Sequence, residues 1–267
     1  MTEPDREPDA RIVARLRAAG CVFAEDEARL LIEAAGSPAE LDALVSRRVA
    51  GEPLEPLLGW VEFGGLRLHV APGVFVPRRR TELLAGRAAD LAAATVAVSG
   101  AAVVVDLCCG VGAIGAVVAD RVPAAEVYAA DLDPVAVACA RRNVAPDRVF
   151  EGDLFAALPS ELRGRVDVLA VNAPYVPTEA IALMPPEARD HEPGMALDGG
   201  ADGLDIHRRI AAEALDWLAP GGTLLIEAGE EQAPVSAALF AAVGLTSRIE
   251  SDDDLGATVV VASAPSA

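Results

Sequence analysis

Apolar positions in the first fifty residues recur with helical spacing. Ile12, Val13, Leu16 and Ala19 share one face before Gly20, and Ala28, Leu31, Ile32 and Ala35 share another before Gly36. Ser37-Pro38-Ala39-Glu40 supplies a Ser cap, a Pro in the first turn and a Glu three residues after the cap, introducing a third helix through Leu41, Leu44, Val45 and Val49. The pattern predicts a small helical bundle over 1–50 that buries little alone and so docks on the rest of the chain or grips a partner. Residues 51–77 switch to alternation on either side of Gly64-Gly65, which predicts a two-stranded hairpin linking two domains. From 78 to 267, apolar runs at 103–108, 127–130, 166–171 and 223–226 alternate with helical patterns at 82–93, 113–121, 134–143 and 205–218. That order predicts an α/β domain, a parallel sheet with helices on both faces, closed at one edge by a hairpin of strands at 246–250 and 258–262. The charged, proline-bearing residues 1–8 read as a disordered lead-in, and the tail from Ser263 as frayed.

Composition narrows the setting. Hydrophobic residues make up 52% of the chain, enough for a substantial core. The net charge is −19, from 41 acidic residues against 22 basic ones that are all arginine, and such a surface repels a phosphate backbone, so direct nucleic-acid binding is disfavoured. Cys21, Cys108, Cys109 and Cys139 form no C-x-x-C pair and have no histidine at zinc-ligand spacing, which predicts reduced thiols and no metal site. The start lacks a basic n-region and apolar h-region, and no apolar stretch is long enough to span a bilayer, so the expectation is a soluble, cytoplasmic protein.

Candidate chemistry sits at the ends of the apolar runs. Val103-Val104-Val105-Asp106-Leu107-Cys108-Cys109-Gly110-Val111-Gly112-Ala113-Ile114-Gly115 reads as a buried strand, a glycine turn and a helix, with Gly110 and Gly112 admitting a ligand and Gly115 permitting close packing. Asp131 ends the next run, where a carboxylate accepts from both hydroxyls of a ribose, and Asp153 follows the strand after it, where it can accept from an adenine amino group. The glycine spacing alone also fits a dinucleotide. Asp106 beside the turn repels a pyrophosphate but suits the cationic amino-acid end of S-adenosylmethionine, which favours that cofactor. The candidate cofactor set is Asp106, Cys108, Gly110, Gly112, Asp131, Leu132, Asp153, Leu154 and Asn172. Asn172-Ala173-Pro174-Tyr175 follows the run 166–171 and offers a carboxamide oxygen, a free carbonyl and a flat ring to a planar nitrogen, the equipment of an N-methylating site. The triplet Arg78-Arg79-Arg80 is a local exception in an acidic chain, either a solvated loop or a partner for a carboxylate.

From about Arg48 to Gln232 the sequence resembles the protein N5-glutamine methyltransferases that modify the Gly-Gly-Gln loop of peptide-chain release factors. The matching residues are Gly51-Glu52-Pro53, Gly59 with Glu62-Phe63-Gly64-Gly65-Leu66, Val76-Pro77-Arg78 with Thr81-Glu82, Asp106-Leu107 with Gly110 and Gly112, and Asp131. They continue through His191-Glu192-Pro193, Ala196-Leu197, Gly199-Gly200, Asp202-Gly203-Leu204, Pro220-Gly221-Gly222 and Glu227-x-Gly229-x-x-Gln232. The resemblance implies a Rossmann-like class I methyltransferase domain with a seven-stranded, mostly parallel sheet, S-adenosylmethionine as cofactor, and a release factor as protein substrate recognised partly by the helical domain. It assigns methyl-acceptor positioning to Asn172, Ala173, Pro174 and Tyr175. The chain departs from the family's Asn-Pro-Pro-Tyr at Ala173, and from its Pro-Arg-Pro-x-Thr-Glu at Arg79. Two other readings share these residues: N-methylation of adenine or of a small molecule, and a cofactor-binding module without catalysis.

Overall fold

Successive side chains of a strand point to opposite faces, and that period of two divides the core of this computed structural model, which describes residues 9–266. The predicted lead-in at 1–8 lies outside the described residues. Helices α1 (Ala10–Ala18), α2 (Ala24–Ala34) and α3 (Pro38–Val49) form where the apolar spacing places them, and Ser37 Oγ caps α3 by accepting from Glu40 N. A short α4 (Leu54–Leu58) adds Leu57 to the same small core as Leu16, Leu31 and Val45, so the helical unit runs past residue 50.

The hairpin of β1 (Trp60–Phe63) and β2 (Leu66–His69) forms around Gly64-Gly65. It is more than a linker: Val61, Phe63, Leu68, Val70, Val74 and Val76 are buried with α5 (Glu82–Ser99) and the helix α6 (Ala113–Arg121) on one face of the main sheet. A Cβ added at Gly64 would meet Val117 Cγ2 at 2.5 Å, so the turn itself packs on α6.

The main domain contains β3 (Ala102–Leu107), β4 (Ala125–Asp131), α7 (Pro134–Ala140), β5 (Val149–Glu151), β6 (Val166–Val171), α8 (Pro186–His191), α9 (Asp205–Trp217), β7 (Leu218–Glu227), α10 (Ala233–Ala242), β8 (Thr246–Asp252) and β9 (Ala257–Ser263). The seven strands lie in the order β5-β4-β3-β6-β7-β9-β8, parallel from β5 to β7 and antiparallel at β9 and β8, as the class I methyltransferase reading expects. Val104, Val168, Leu225 and Val259 face α5 and α6; Val105, Leu169, Leu224 and Val260 face α9 and α10. Phe155 stacks on Trp217 with ring centroids 5.5 Å apart on that second side.

Two expectations are corrected, and one helix is added to them. The tail is paired, with Ala264 N donating to Gly222 O at 2.9 Å and Gly221 N to Pro265 O at 3.0 Å. Helix α5 continues to Ser99, six residues beyond the expected end, and stops where Gly100 turns left-handed at φ +83°. Helix α10 has no counterpart in the apolar pattern, because Ala-Pro-Val-Ser-Ala-Ala-Leu-Phe-Ala-Ala is apolar on nearly every face and shows no period. Among the described residues, no helix is long and apolar enough to cross a membrane.

One buried group should make the fold acid-sensitive. His207 on α9 is enclosed, with Nδ1 bonded to Ser236 Oγ at 2.8 Å and Nε2 without a partner, and burial pushes its pKa down to about 4. A depressed histidine pKa contributes stability that is present above its unfolded value near 6.5 and is lost as pH falls through the folded value. The expected loss is about 3 kcal/mol across that window. Urea unfolding as a function of pH should show this slope in the wild type and a shallower one in His207→Gln; equal slopes would rule His207 out as its source.

Candidate active site

The ends of β3, β4 and β6 open into one cleft whose empty space, mouth included, is about 1080 Å³. Its lining brings together Cys108, Gly110, Asp131, Leu132, Asp153, Leu154 and Asn172 through Tyr175, so most of the candidate residues meet at one place. Strands end here because the parallel sheet directs all its carboxyl ends to one edge, the usual ligand side of such sheets.

At the end of β4, Asp131 Oδ2 accepts from Gly110 N at 2.8 Å and Oδ1 from Asp133 N at 2.9 Å. Burial raises the pKa of this carboxyl, and the two backbone bonds oppose that rise. The Leu132 side chain beside it stays 53% exposed, an apolar face presented to the cleft. Cys108 and Leu154 both line the cleft with left-handed backbones, φ 57° and φ 50°, an uncommon conformation for residues with a Cβ that gathers at ligand sites. Burial raises the Cys108 thiol, which makes it an apolar wall and not a nucleophile. Asp153 lines the cleft too, but its Oδ2 is held by Arg209 Nη2 at 2.7 Å.

Asp106 and Gly112 do not line the cleft. Asp106 turns back under the glycine turn, where Oδ2 accepts from Gly115 N at 2.8 Å and Oδ1 has no partner, and burial pushes its pKa up to about 8. Its Oδ2 therefore supports the turn from behind, and the carboxyl lies outside the lining of the cleft. Gly115 suits this packing: a Cβ there would lie 3.2 Å from Val127 Cγ1 and 3.3 Å from Asp106 Oδ2, so those side chains would have to give way by a few tenths of an ångström.

At the end of β6, Asn172 Nδ2 donates to Thr81 Oγ1 at 3.3 Å, which fixes the carboxamide. Thr81 is buried at the start of α5, so a residue about ninety positions earlier holds the amide. Ala173 is buried at 2% exposure, and among the described residues no donor bonds its carbonyl. The carbonyl of Tyr175 is occupied: Gln232 Nε2 donates to Tyr175 O and to Asp202 O, both at 2.9 Å. Gly199 and Gly203 press on the same loop, and a Cβ at Gly203 would stand 2.2 Å from Tyr175 O. Tyr175 Oη donates to Glu227 Oε1 at 2.9 Å, and burial raises its pKa, so the phenol stays neutral. Thr81→Val should lower turnover about 10-fold by releasing the carboxamide, while leaving cofactor affinity within about twofold. Equal turnover in the two proteins would show that Thr81 does not position Asn172.

The arginine triplet splits. Arg78 Nη2 reaches Glu192 Oε1 and Oε2, both at 2.6 Å, and Glu192 is buried and also accepts from Val76 N. Arg80 Nε donates to Glu227 Oε1 at 3.1 Å. Arg78 and Arg80 line the cleft, whereas Arg79 lines a separate groove beside the hairpin. Their partners are the chain's own glutamates, a pairing that sequence separation hides. The Arg78 to Glu192 pair also staples the segment 184–197 over the cleft, to which it contributes Met184, Pro193, Met195 and Leu197. Phe75, Thr81 and Glu227 are residues at the cleft that the sequence reading does not assign to the site; Thr81 and Glu227 carry a sequence signal only through their place in the family-like motifs, and Phe75 carries none.

The helical unit reaches this segment. Arg48 on α3 is buried, pairs with Glu27 through Nε at 2.7 Å, and donates through Nη1 to Glu187 of α8 at 2.5 Å. Among the described residues no group of three or more His, Cys, Asp or Glu side chains is arranged to hold a metal ion.

Residues 65–184 match the family model described as methyltransferase small domain. A release factor glutamine methyltransferase of Geobacter sulfurreducens is 38% identical over 232 residues, covering 84% of this chain and 78% of that protein. The 4-amino-L-phenylalanine/4-methylamino-L-phenylalanine methyltransferase of Streptomyces pristinaespiralis is 40% identical over 210 residues, covering 78% of this chain and 71% of that one. A methyltransferase from Pyrococcus furiosus, 17% identical, superposes with a TM-score of 0.52 over 75% of this chain and 90% of that one, a likeness of fold. With its sheet order, its cleft and these relatives taken together, the chain belongs to the release factor glutamine methyltransferase family.

Proposed function

We propose that this protein transfers a methyl group from S-adenosylmethionine to the side-chain nitrogen of a glutamine in a protein, of the kind carried by the Gly-Gly-Gln loop of a release factor. The observation that carries this reading is the fixed Asn172 carboxamide beside the unbonded Ala173 carbonyl, in one cleft with Asp131 and Leu132. S-adenosylmethionine suits that cleft: the Asp131 carboxylate is available to a ribose diol, the exposed Leu132 face to an adenine ring, and no lysine or unpaired basic cluster at the glycine turn asks for a pyrophosphate. When bound, it supplies an electrophilic methyl group on a sulfonium.

The residues of the chain meet the difficulty of the acceptor. An amide nitrogen is a poor nucleophile because its lone pair is delocalised into the carbonyl. Asn172 Oδ1 and the Ala173 carbonyl accept its two N–H groups and aim the lone pair at the methyl group. The same two oxygens stabilise the positive charge that the nitrogen acquires, and its proton then leaves to water without a strong base. The Tyr175 ring, tethered through its hydroxyl to Glu227, walls the flat amide. Alanine at 173 keeps the carbonyl that this chemistry uses and gives up proline's rigidity, worth roughly 0.4–1 kcal/mol. We assign recognition of the protein partner to the helical unit, a role supported by the Arg48 to Glu187 link between it and the segment over the cleft.

A second reading is N-methylation of a small planar amine, favoured by the relative that acts on 4-amino-L-phenylalanine and by the apolar side chains of Phe75, Met184, Met195 and Leu197 around the acceptor. Methyl-labelled S-adenosylmethionine, offered with a release factor, with the same factor lacking its Gly-Gly-Gln glutamine, and with a pool of aromatic amines, separates the two. Label in the intact factor alone is expected; label in an amine and in neither factor would replace the first reading with the second.

A further inference from the structure

We propose that the Nη edge of Arg80 is a carboxylate-binding subsite at the acceptor end of the cleft, so that the preferred acceptor carries a carboxylate close to the nitrogen it presents. This rests on the glutamine reading above and adds what else that acceptor carries.

Three arginines line the cleft, and their engagement differs. Arg78 spends Nη2 on both oxygens of Glu192, and Arg209 spends Nη2 on Asp153. Arg80 is held through Nε, at 3.1 Å from Glu227 Oε1; among the described residues neither Nη nitrogen forms a hydrogen bond of its own to a carboxylate, and its other polar neighbour is the neutral Tyr175 hydroxyl. Glu227 is 2% exposed in its side chain while that of Arg80 is 43% exposed, so the buried carboxylate anchors the guanidinium from behind and the far edge faces the cleft. The two parallel N–H groups of that edge match the two oxygens of a carboxylate.

The location is the acceptor wall. The Glu227 oxygen that holds Arg80 also accepts from Tyr175 Oη, and the guanidinium carbon of Arg80 lies 5.8 Å from the centroid of the Tyr175 ring. Asp131, on the nucleoside side, belongs to a different strand end. A productive contact to the oxygen of the target amide itself is excluded by chemistry: donation there draws the nitrogen lone pair further into the carbonyl and slows attack. The free edge therefore serves a second group of the acceptor. Elsewhere a chain of net charge −19 repels an anion, which makes this local cation the favoured place for one.

A carboxylate has three possible sources: the end of a free amino acid or short chain, an acidic residue flanking the target, and the amino-acid end of the cofactor. The test uses Gly-Gly-Gln with a free C-terminal carboxylate, its C-terminal amide, and Gly-Gly-Gln-Asp amide. Each is titrated calorimetrically into enzyme loaded with S-adenosylhomocysteine, and each is also assayed for methyl transfer. The wild type should bind at least one carboxylate-bearing peptide roughly 10-fold more tightly than the amide, and Arg80→Gln should reduce that ratio to within about twofold. Arg80→Lys, which keeps the charge beside Glu227 but loses the fork, should retain part of it. Preference for the free acid over the Asp peptide identifies an α-carboxylate; the reverse identifies a flanking acid. No preference in the wild type, an unchanged ratio in Arg80→Gln, or weakening of S-adenosylhomocysteine itself by that substitution overturns the acceptor subsite, the last by giving Arg80 to the cofactor. A preference in binding with no methylation of any peptide would leave the subsite standing, and the glutamine reading would then stand or fall on the labelling of the intact release factor.

Discussion

Replacing Asn172 with Ala is expected to reduce methyl transfer by roughly 100-fold to 1,000-fold, the usual consequence of removing one preorganised polar group from a reaction centre. The effect should fall on kcat. In the proposed mechanism Asn172 Oδ1 is one of two acceptors that orient the target nitrogen, and the Ala173 carbonyl alone cannot fix a planar amide that is free to rotate about a single hydrogen bond. Affinity for S-adenosylhomocysteine, measured by equilibrium dialysis, should stay within about threefold, because Asp131 and Leu132 lie at the end of another strand. The substitution also leaves the buried Thr81 hydroxyl without its partner, at a cost of about 1–3 kcal/mol, so a thermal melt is needed to show that the variant is folded. An active Asn172→Ala protein would remove the proposed chemistry altogether.

The second large effect is expected at Asp131, and it falls on binding. Asp131→Ala removes the carboxylate available to the ribose and also the acceptors of the Gly110 and Asp133 amides, so the turn that shapes the site loses two bonds at 2.8 and 2.9 Å. Charge-assisted bonds contribute about 1.5–3 kcal/mol each, which predicts a dissociation constant for S-adenosylhomocysteine raised at least roughly 100-fold. Burial raises the pKa of this carboxyl, so in the wild type cofactor affinity should fall on acidification at a higher pH than an ordinary aspartate would give. Asp131→Asn should abolish that pH dependence. If affinity is unchanged in Asp131→Ala, the nucleoside is held elsewhere and the assignment of the cleft fails.

These two residues also mark what is legible in the sequence. Asp131 and Asn172 each stand at the end of an apolar run, and a strand in a parallel sheet delivers its end to the ligand edge, so position along the chain is enough to find both. Asp106 lies near the end of a run in the same way, yet its side chain turns back to the amide of Gly115; a strand end fixes the neighbourhood of a residue but not the direction of its side chain. Thr81, Arg80 and Glu227 are harder, because their roles exist only as pairs, Thr81 with Asn172 and Arg80 with Glu227, that lie far apart in the chain. The same distance conceals the Arg78 to Glu192 and Arg48 to Glu187 pairs, which make one member of the arginine triplet and the helical bundle supports of the segment over the cleft. The hairpin is readable from Gly64-Gly65 and its alternation, while its burial against α6 is not, since a two-residue turn says nothing about what lies beneath it.

In the proposed mechanism the methyl group reaches the side-chain nitrogen of a glutamine that Asn172 and Ala173 hold in place. Fragmentation mass spectrometry of a release factor incubated with the enzyme and isotopically labelled S-adenosylmethionine tests it most directly. One labelled methyl group on the side-chain nitrogen of the Gly-Gly-Gln glutamine, absent when the enzyme carries Asn172→Ala, is the result expected. A labelled methyl group on any other atom of that factor, or an unlabelled factor alongside a methylated aromatic amine, would contradict it.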